Sequence, residues 1–169
     1  MGMTKTFVIA DTHFGHSNIL NFTREDGSKL RDFSSVEEMD EYMIRMWNET
    51  VSPNDKVYHL GDVFINKKHL HKIDRCHGRK VLIKGNHDIA PIEQFLEYFD
   101  DVRACQDMRR KDGKKAILTH IPVHPSQLNR FGINIHGHLH SGSIKDDPRY
   151  VCVSVEHTDY RPVDLDTLL

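Results

Sequence analysis

Phe7-Val8-Ile9-Ala10-Asp11-Thr12-His13 carries a short apolar run straight into a carboxylate and an imidazole two residues apart. Four later apolar runs likewise end in polar clusters. Residues 57–60 run into Gly61-Asp62, 81–83 into Gly85-Asn86-His87-Asp88, 116–118 into Thr119-His120, and 133–135 into His136-Gly137-His138-Leu139-His140. The runs are rich in Val and Ile and short enough to be buried strands.

Working outward, Val36, Met39, Met43, Met46, Trp47 and Thr50 recur on one face at helical spacing, and Ser35 with Glu38 has the form of a capping box. The Met and Trp stripe reads as core packing rather than a cofactor site. A weaker helical pattern covers 67–75, and another begins after Pro91, a residue suited to a first turn. Asp112-Gly113, inside a basic run, predicts a hairpin with a tight type I′ turn. Strands and helices alternate first and strands dominate later, which predicts a layered α/β domain with some antiparallel pairing. Sites in such folds gather where strand ends meet loops, so the five polar clusters should converge at one edge.

The chain's 169 residues suit a single domain, 1–169. A formal charge of -2 and a pI near 6.7 lack the basic excess of proteins that live on long nucleic acid. Weak affinity for duplex is therefore expected, while a small phosphorylated substrate, including a nucleotide, stays open. No apolar run approaches the ~20 residues of a membrane span. Met1-Gly2-Met3-Thr4-Lys5 shows no cleavable signal pattern. Cys76, Cys105 and Cys152 are odd in number and form no CxxC pair, as expected of reduced thiols in a cytoplasmic protein.

The chemistry lies in the spacing of a few of the 13 histidines. Divalent ions that activate water take carboxylate oxygen together with neutral imidazole. Asp11-x-His13 supplies one of each, and on a strand extension residues two apart point to the same side. His138-x-His140 repeats the spacing, although its turn can send the two rings to different ions. Gly61 and Gly85, before Asp62 and Asn86, leave room for sharp turns and close backbone approach. Singly, each fragment is weak: Asp-x-His is common, and a lone histidine is usually a hydrogen-bonded surface or core residue. Five in order, each closing an apolar run, are not.

Asp11-Thr12-His13, Gly61-Asp62, Gly85-Asn86-His87-Asp88, His120 and Gly137-His138-Leu139-His140 together resemble the motif set of the calcineurin-like metallophosphoesterases, across residues 7–140. By length the chain resembles the small cap-less members of bacteria and phages. The resemblance implies a four-layer α/β/β/α sandwich of two mixed β-sheets flanked by helices. It implies that Asp11, His13, Asp62 and His140 hold one divalent ion and that Asp62, Asn86, His120 and His138 hold a second, with Asp62 bridging. Manganese is the expected metal; iron, nickel, cobalt or zinc can substitute. Two such ions carry +4 against -2 from the two aspartates, which favours an ionised bridging water that attacks phosphorus. The resemblance gives His87 a catalytic role on the substrate and Asp88 the task of orienting its ring, while Asn86 doubles as a substrate contact. His16, three residues past His13, is a candidate phosphate contact.

The bland reading holds elsewhere. His59 reads as core wall, His69, His71 and His77 as solvated, and His124, His136 and His157 as structural. The basic run around 109–115 reads as a solvated hairpin tip that can alternatively guide a polyanion. The function expected is a metal-dependent phosphodiesterase or phosphomonoesterase for a small nucleotide-like substrate. The alternatives are a nuclease for single-stranded or short nucleic acid and a non-catalytic interaction module of the same fold.

Overall fold

The computed structural model describes residues 3–169; Met1 and Gly2, part of the stretch inspected for a signal, lie outside the described residues. β1 (Thr6–Ile9), β2 (Lys56–His59), β3 (Arg79–Ile83) and β4 (Asp101–Arg103) are parallel neighbours, and β9 (Val163–Asp164) adds antiparallel to β1. A second sheet takes β5 (Gln106–Arg109), β6 (Lys115–Thr119), β7 (Ile133–His136) and β8 (Tyr150–Cys152) in that order, with only β5 antiparallel. Both sheets are thus mixed.

The period-2 alternation of a strand explains the layering. Phe7 and Ile9 face one way and pack with Met39, Met43 and Trp47 of α1 (Val36–Thr50). Val8, Ala10, Tyr58, Leu60, Val81 and Ile83 face the other way and meet Ala116, Leu118 and Ile135 of the smaller sheet, with Val153 just past β8. The expected four layers are present, but unevenly filled. The larger sheet carries α1, α2 (Ile92–Phe95) and a helical run on its outer face, whereas the smaller sheet is touched by the single-turn α3 (Leu128–Phe131).

Three local expectations change. The run Lys67–Arg75 is a 3₁₀ helix, because its buried Leu70 and Ile73, with Cys76 beyond, fall three apart and align at 3.0 residues per turn. Ser35 Oγ caps α1 by accepting the Glu38 N–H at 3.1 Å, but the Glu38 carboxylate returns to Ser34 N–H at 2.7 Å rather than to Ser35. At the hairpin only Gly113 is left-handed (φ 86°), and Arg110 O accepts its N–H at 3.0 Å. The turn is therefore type I with a glycine bulge, since type I′ needs Asp112 left-handed as well.

Candidate metal centre

The parallel alignment of Ile9 with His59 brings the ends of β1 and β2 together. There the backbone leaves the strand register abruptly. Asp11, His13, Asp62, His138 and His140 all have φ between 48° and 70°, five of the seven left-handed non-glycine residues described. Asp11 and His13 are not on a strand extension as their spacing suggests. They reach one place because successive tight turns aim both side chains into the same buried pocket, at about 1–2 kcal/mol of backbone strain each. Close loop contact is obligatory as well. A Cβ on Gly61 would lie 2.6 Å from Gly85 N, and one on Gly85 would lie 2.3 Å from Asp62 Oδ1.

Asp11, His13 and His140 form one ligand group, and Asp62, His120 and His138 another; within each, the candidate ligand atoms lie within 4.8 Å of one another. Asp11 Oδ2 accepts from Ser154 Oγ at 2.6 Å and from His138 N–H at 2.9 Å, whereas Asp11 Oδ1 and both ring nitrogens of His13 are buried with no partner. Burial lifts the Asp11 pKa to about 6 against the pull of the His140 ring, and burial followed by the Arg31 charge drives His13 well below its ordinary value. Without a cation, the Asp11 oxygen and the lone pair of the His13 ring are buried acceptors that nothing satisfies.

The second group makes the point through tautomers. His120 Nδ1 lies 2.7 Å from Leu60 O, which can only accept, so the proton sits on Nδ1 and neutral Nε2 presents a lone pair. That lone pair faces Asn86 Oδ1 at 2.8 Å and Asp62 Oδ2 at 3.4 Å, with His138 Nδ1 at 3.3 Å. Burial lowers the His120 pKa, but the Asp62 carboxylate outweighs it and leaves the ring raised. Positive charge is thus favoured at this ring, from a proton or from a cation. Asp62 Oδ2 is also 3.6 Å from His13 Nε2, so one oxygen stands between the two groups. The donor set, carboxylate, amide oxygen and imidazole, fits two divalent ions.

His87 and His16 sit at the rim. His87 is exposed, its N–H binds Asp62 Oδ1 at 2.8 Å, and its ring lies 5.8 Å from that of His13. The half-buried His16 ring is 5.4 Å from His13. Clefts flank the centre: one of about 340 Å³ includes Lys84, Asn86, His120 and Ile121, and one of about 520 Å³ includes Arg24, Leu139 and Lys145. Asp88 does not orient the His87 ring. Its buried carboxylate accepts the backbone N–H groups of Asp62, Gly85 and Val63 at 2.8–2.9 Å, so both oxygens are committed to tying the two ligand loops together.

His59 is core wall with an added task. Its Nδ1 accepts Gly61 N–H at 3.2 Å, so Nε2–H donates to Thr12 Oγ1 at 2.9 Å, which in turn donates to Val63 O at 3.1 Å. His71 and His77 are exposed as expected, but His69 is half-buried with its ring against Gly15. His124 and His157 are exposed, and His136 is buried beside Tyr150. The basic hairpin turns toward the C-terminal segment, with Arg110 bound to Asp166 at 2.6 Å and Lys114 to Leu169 O at 2.6 Å.

Sequence reasoning missed Arg31, Ser154 and Glu156. The last two had a signal. Val151-Cys152-Val153-Ser154-Val155-Glu156 is a sixth apolar run ending in polar residues. Arg31, in a polar loop before α1, had none.

No family model matches the chain. It is 35% identical to the uncharacterized protein MJ1445 of Methanocaldococcus jannaschii, over all of this chain and 92% of that one. A solved protein of unknown function from Aquifex aeolicus, AQ665, superposes with a TM-score of 0.78 at 28% identity, covering 99% of this chain and all of that one. A structure described as a novel archaeal phosphodiesterase superposes at 0.52 with 18% identity, covering 89% and 82%, a likeness of fold. The fold is that of the calcineurin-like phosphoesterases.

Proposed function

We propose that this chain, which belongs to one family with the M. jannaschii protein MJ1445, is a two-ion phosphoesterase that hydrolyses a phosphodiester or phosphomonoester of a small nucleotide-like molecule. The observation that carries the reading is Asp62 Oδ2, set 3.4–3.6 Å from a ring nitrogen of each ligand group and facing lone pairs that only cations or protons can reconcile. Asp11, His13, Asp62 and His140 would hold one ion and Asp62, Asn86, His120 and His138 the other. Two divalent ions, manganese by preference, would supply Lewis acidity and an activated water for in-line attack at phosphorus.

The chain's own residues supply the rest. His87 spends its N–H on Asp62, which leaves the exposed ring to protonate the departing oxygen. Asn86 at the rim and His16 across the centre flank the place of the phosphoryl oxygens. Lys84 offers positive charge on one side, whereas on the other Arg24 and Lys145 share their cleft with Glu25 and Asp26 and leave it without net charge. The small net charge supports a small substrate over a long duplex.

The test is metal stripping and reloading with bis(nitrophenyl) phosphate and a panel of cyclic nucleotides, dinucleotides, nucleotide monoesters and short single strands. About two equivalents of metal and metal-dependent hydrolysis are expected. Full activity at one equivalent overturns the two-ion reading. Submicromolar, salt-resistant binding to duplex DNA overturns the substrate reading.

A further inference from the structure

Arg31 has no ligand to offer, yet its side chain is fully buried beside the centre. Its Nη1 donates to Thr12 O at 2.9 Å and its Nη2 to Asp11 O, while Nε donates to Glu156 Oε1 at 2.8 Å. The same Glu156 oxygen accepts from His140 Nδ1 at 3.0 Å, and the Glu156 carboxylate is fully buried too. One guanidinium fork therefore holds the carbonyls of the left-handed Asp11 turn and, through one carboxylate, the ring of His140.

Three consequences follow from the chemistry. A carboxylate can only accept, so the His140 proton sits on Nδ1 and Nε2 is the nitrogen free for an ion. The carbonyls of Asp11 and Thr12, turned off the strand ladder, find donors in Arg31, which offsets the strained backbone. A lone guanidinium would repel a cation here, and the -1 of Glu156 cancels its +1. These contacts reach Asp11, Thr12 and His140, with none to Asn86, His120 or His138.

We propose that Arg31 and Glu156 are positioning residues for one ion only, the ion held by Asp11, His13 and His140. The inference rests on the two-ion reading above, and the experiment separates the two. Calorimetric titration of manganese into the metal-stripped chain measures each affinity without reference to activity. In a His120→Ala background, which leaves the Asp11 side, adding Glu156→Gln should weaken binding about 10–100-fold, the usual scale for a partner behind a metal-bound histidine. In a His13→Ala background, which leaves the His120 side, it should change nothing. Gln keeps the shape and an acceptor oxygen but removes the charge, so the buried guanidinium is left uncompensated. Arg31→Lys, which keeps the charge and loses the fork, should show the same one-sided loss and serves if the Gln variant fails to fold, as judged by circular dichroism.

Equal losses in both backgrounds would mean general loosening of the fold and overturn the inference. No loss in either would overturn it as well. A wild-type chain that takes up no manganese would instead overturn the two-ion reading itself.

Discussion

Asp11 and His13 are 0% and 2% exposed, roofed by Arg31 and tied down through Thr12 to His59. Across the shared Asp62, Asn86 is exposed, while His138, like His140 on the first side, is half-buried. On the first side the ligand atoms are held by backbone turns and buried partners and point at nothing. On the second they lean on one another, Asn86 Oδ1 lying between His120 and His138 at 2.8 and 3.0 Å. The first side is organised by contacts outside the ligand group, whereas on the second the ligand atoms serve as one another's partners. A rigid, dry site binds its metal tightly, and an open one exchanges metal and admits substrate.

The largest effect expected comes from the residue that both sides share. Asp62→Asn removes the oxygen between the groups, so both ions should be lost and the rate should fall by at least the ~10²–10³-fold that loss of one charge-stabilising group costs. Elemental analysis with a rate measurement checks it. If excess manganese restores Asp62→Asn fully, the two sides do not depend on a common carboxylate and the comparison breaks.

His87→Ala comes next. Its ring belongs to neither ligand group, so the metal content should stay at the wild-type value. Hydrolysis of alkyl esters should slow by about 10²–10⁴-fold, the range for a lost general acid, and nitrophenyl esters should slow far less because their leaving group needs no proton. Loss of metal in this variant would make His87 a ligand. Equal slowing of both ester types would make it a phosphoryl contact.

The asymmetry itself is tested by His120→Ala against His13→Ala. His120→Ala disturbs the open side, so it should keep one tight ion and recover rate when manganese is raised about 10–100-fold. His13→Ala should recover less under the same addition. Equal rescue would show that burial does not distinguish the two sides.

The contrast also explains what could be read from sequence. The strand-end clusters were legible because apolar run and polar ending are adjacent, and register then brings the ends together without further information. The paired glycines announced the close approach of the Asp62 and Asn86 loops. The left-handed turns at Asp11, His13 and His140 were not legible: Asp and His enter positive φ more often than most non-glycine residues, but still so rarely that residue type does not mark the position. Asp88 was misjudged because adjacency suggested His87 as its partner, while burial turned its carboxylate onto N–H groups as far back as Asp62. Glu156 and Arg31 are separated by 125 residues, and only the fold makes them neighbours.

The smallest effect concerns His59, the ring that ties the loops of the buried side. It is fully buried, stacked on Trp47 at 6.3 Å between centroids, and burial pulls its pKa from 6.5 to about 3. Its Nδ1 accepts Gly61 N–H, so it works as a neutral ring. Because the folded pKa lies below the unfolded one, the unfolded chain takes up a proton between pH 6.5 and 3 that the native chain refuses. Stability therefore falls as pH drops through that window and is fully present above it. From pH 7 to pH 5 the part below 6.5 spans about 1.5 pH units, worth about 2 kcal/mol at 1.36 kcal/mol per unit. His59→Gln can accept from Gly61 and donate to Thr12 without titrating. It should be less stable than wild type at pH 7 through lost ring packing, and the gap should narrow by about 2 kcal/mol at pH 5, roughly 4–8 °C in Tm for a chain of this size. Thermal melts of the metal-stripped proteins at both pH values measure the narrowing, with every other titrating group common to the pair. A gap that stays constant would mean that the ring is protonated in place, and the buried side would then be as permeable to protons as the open one.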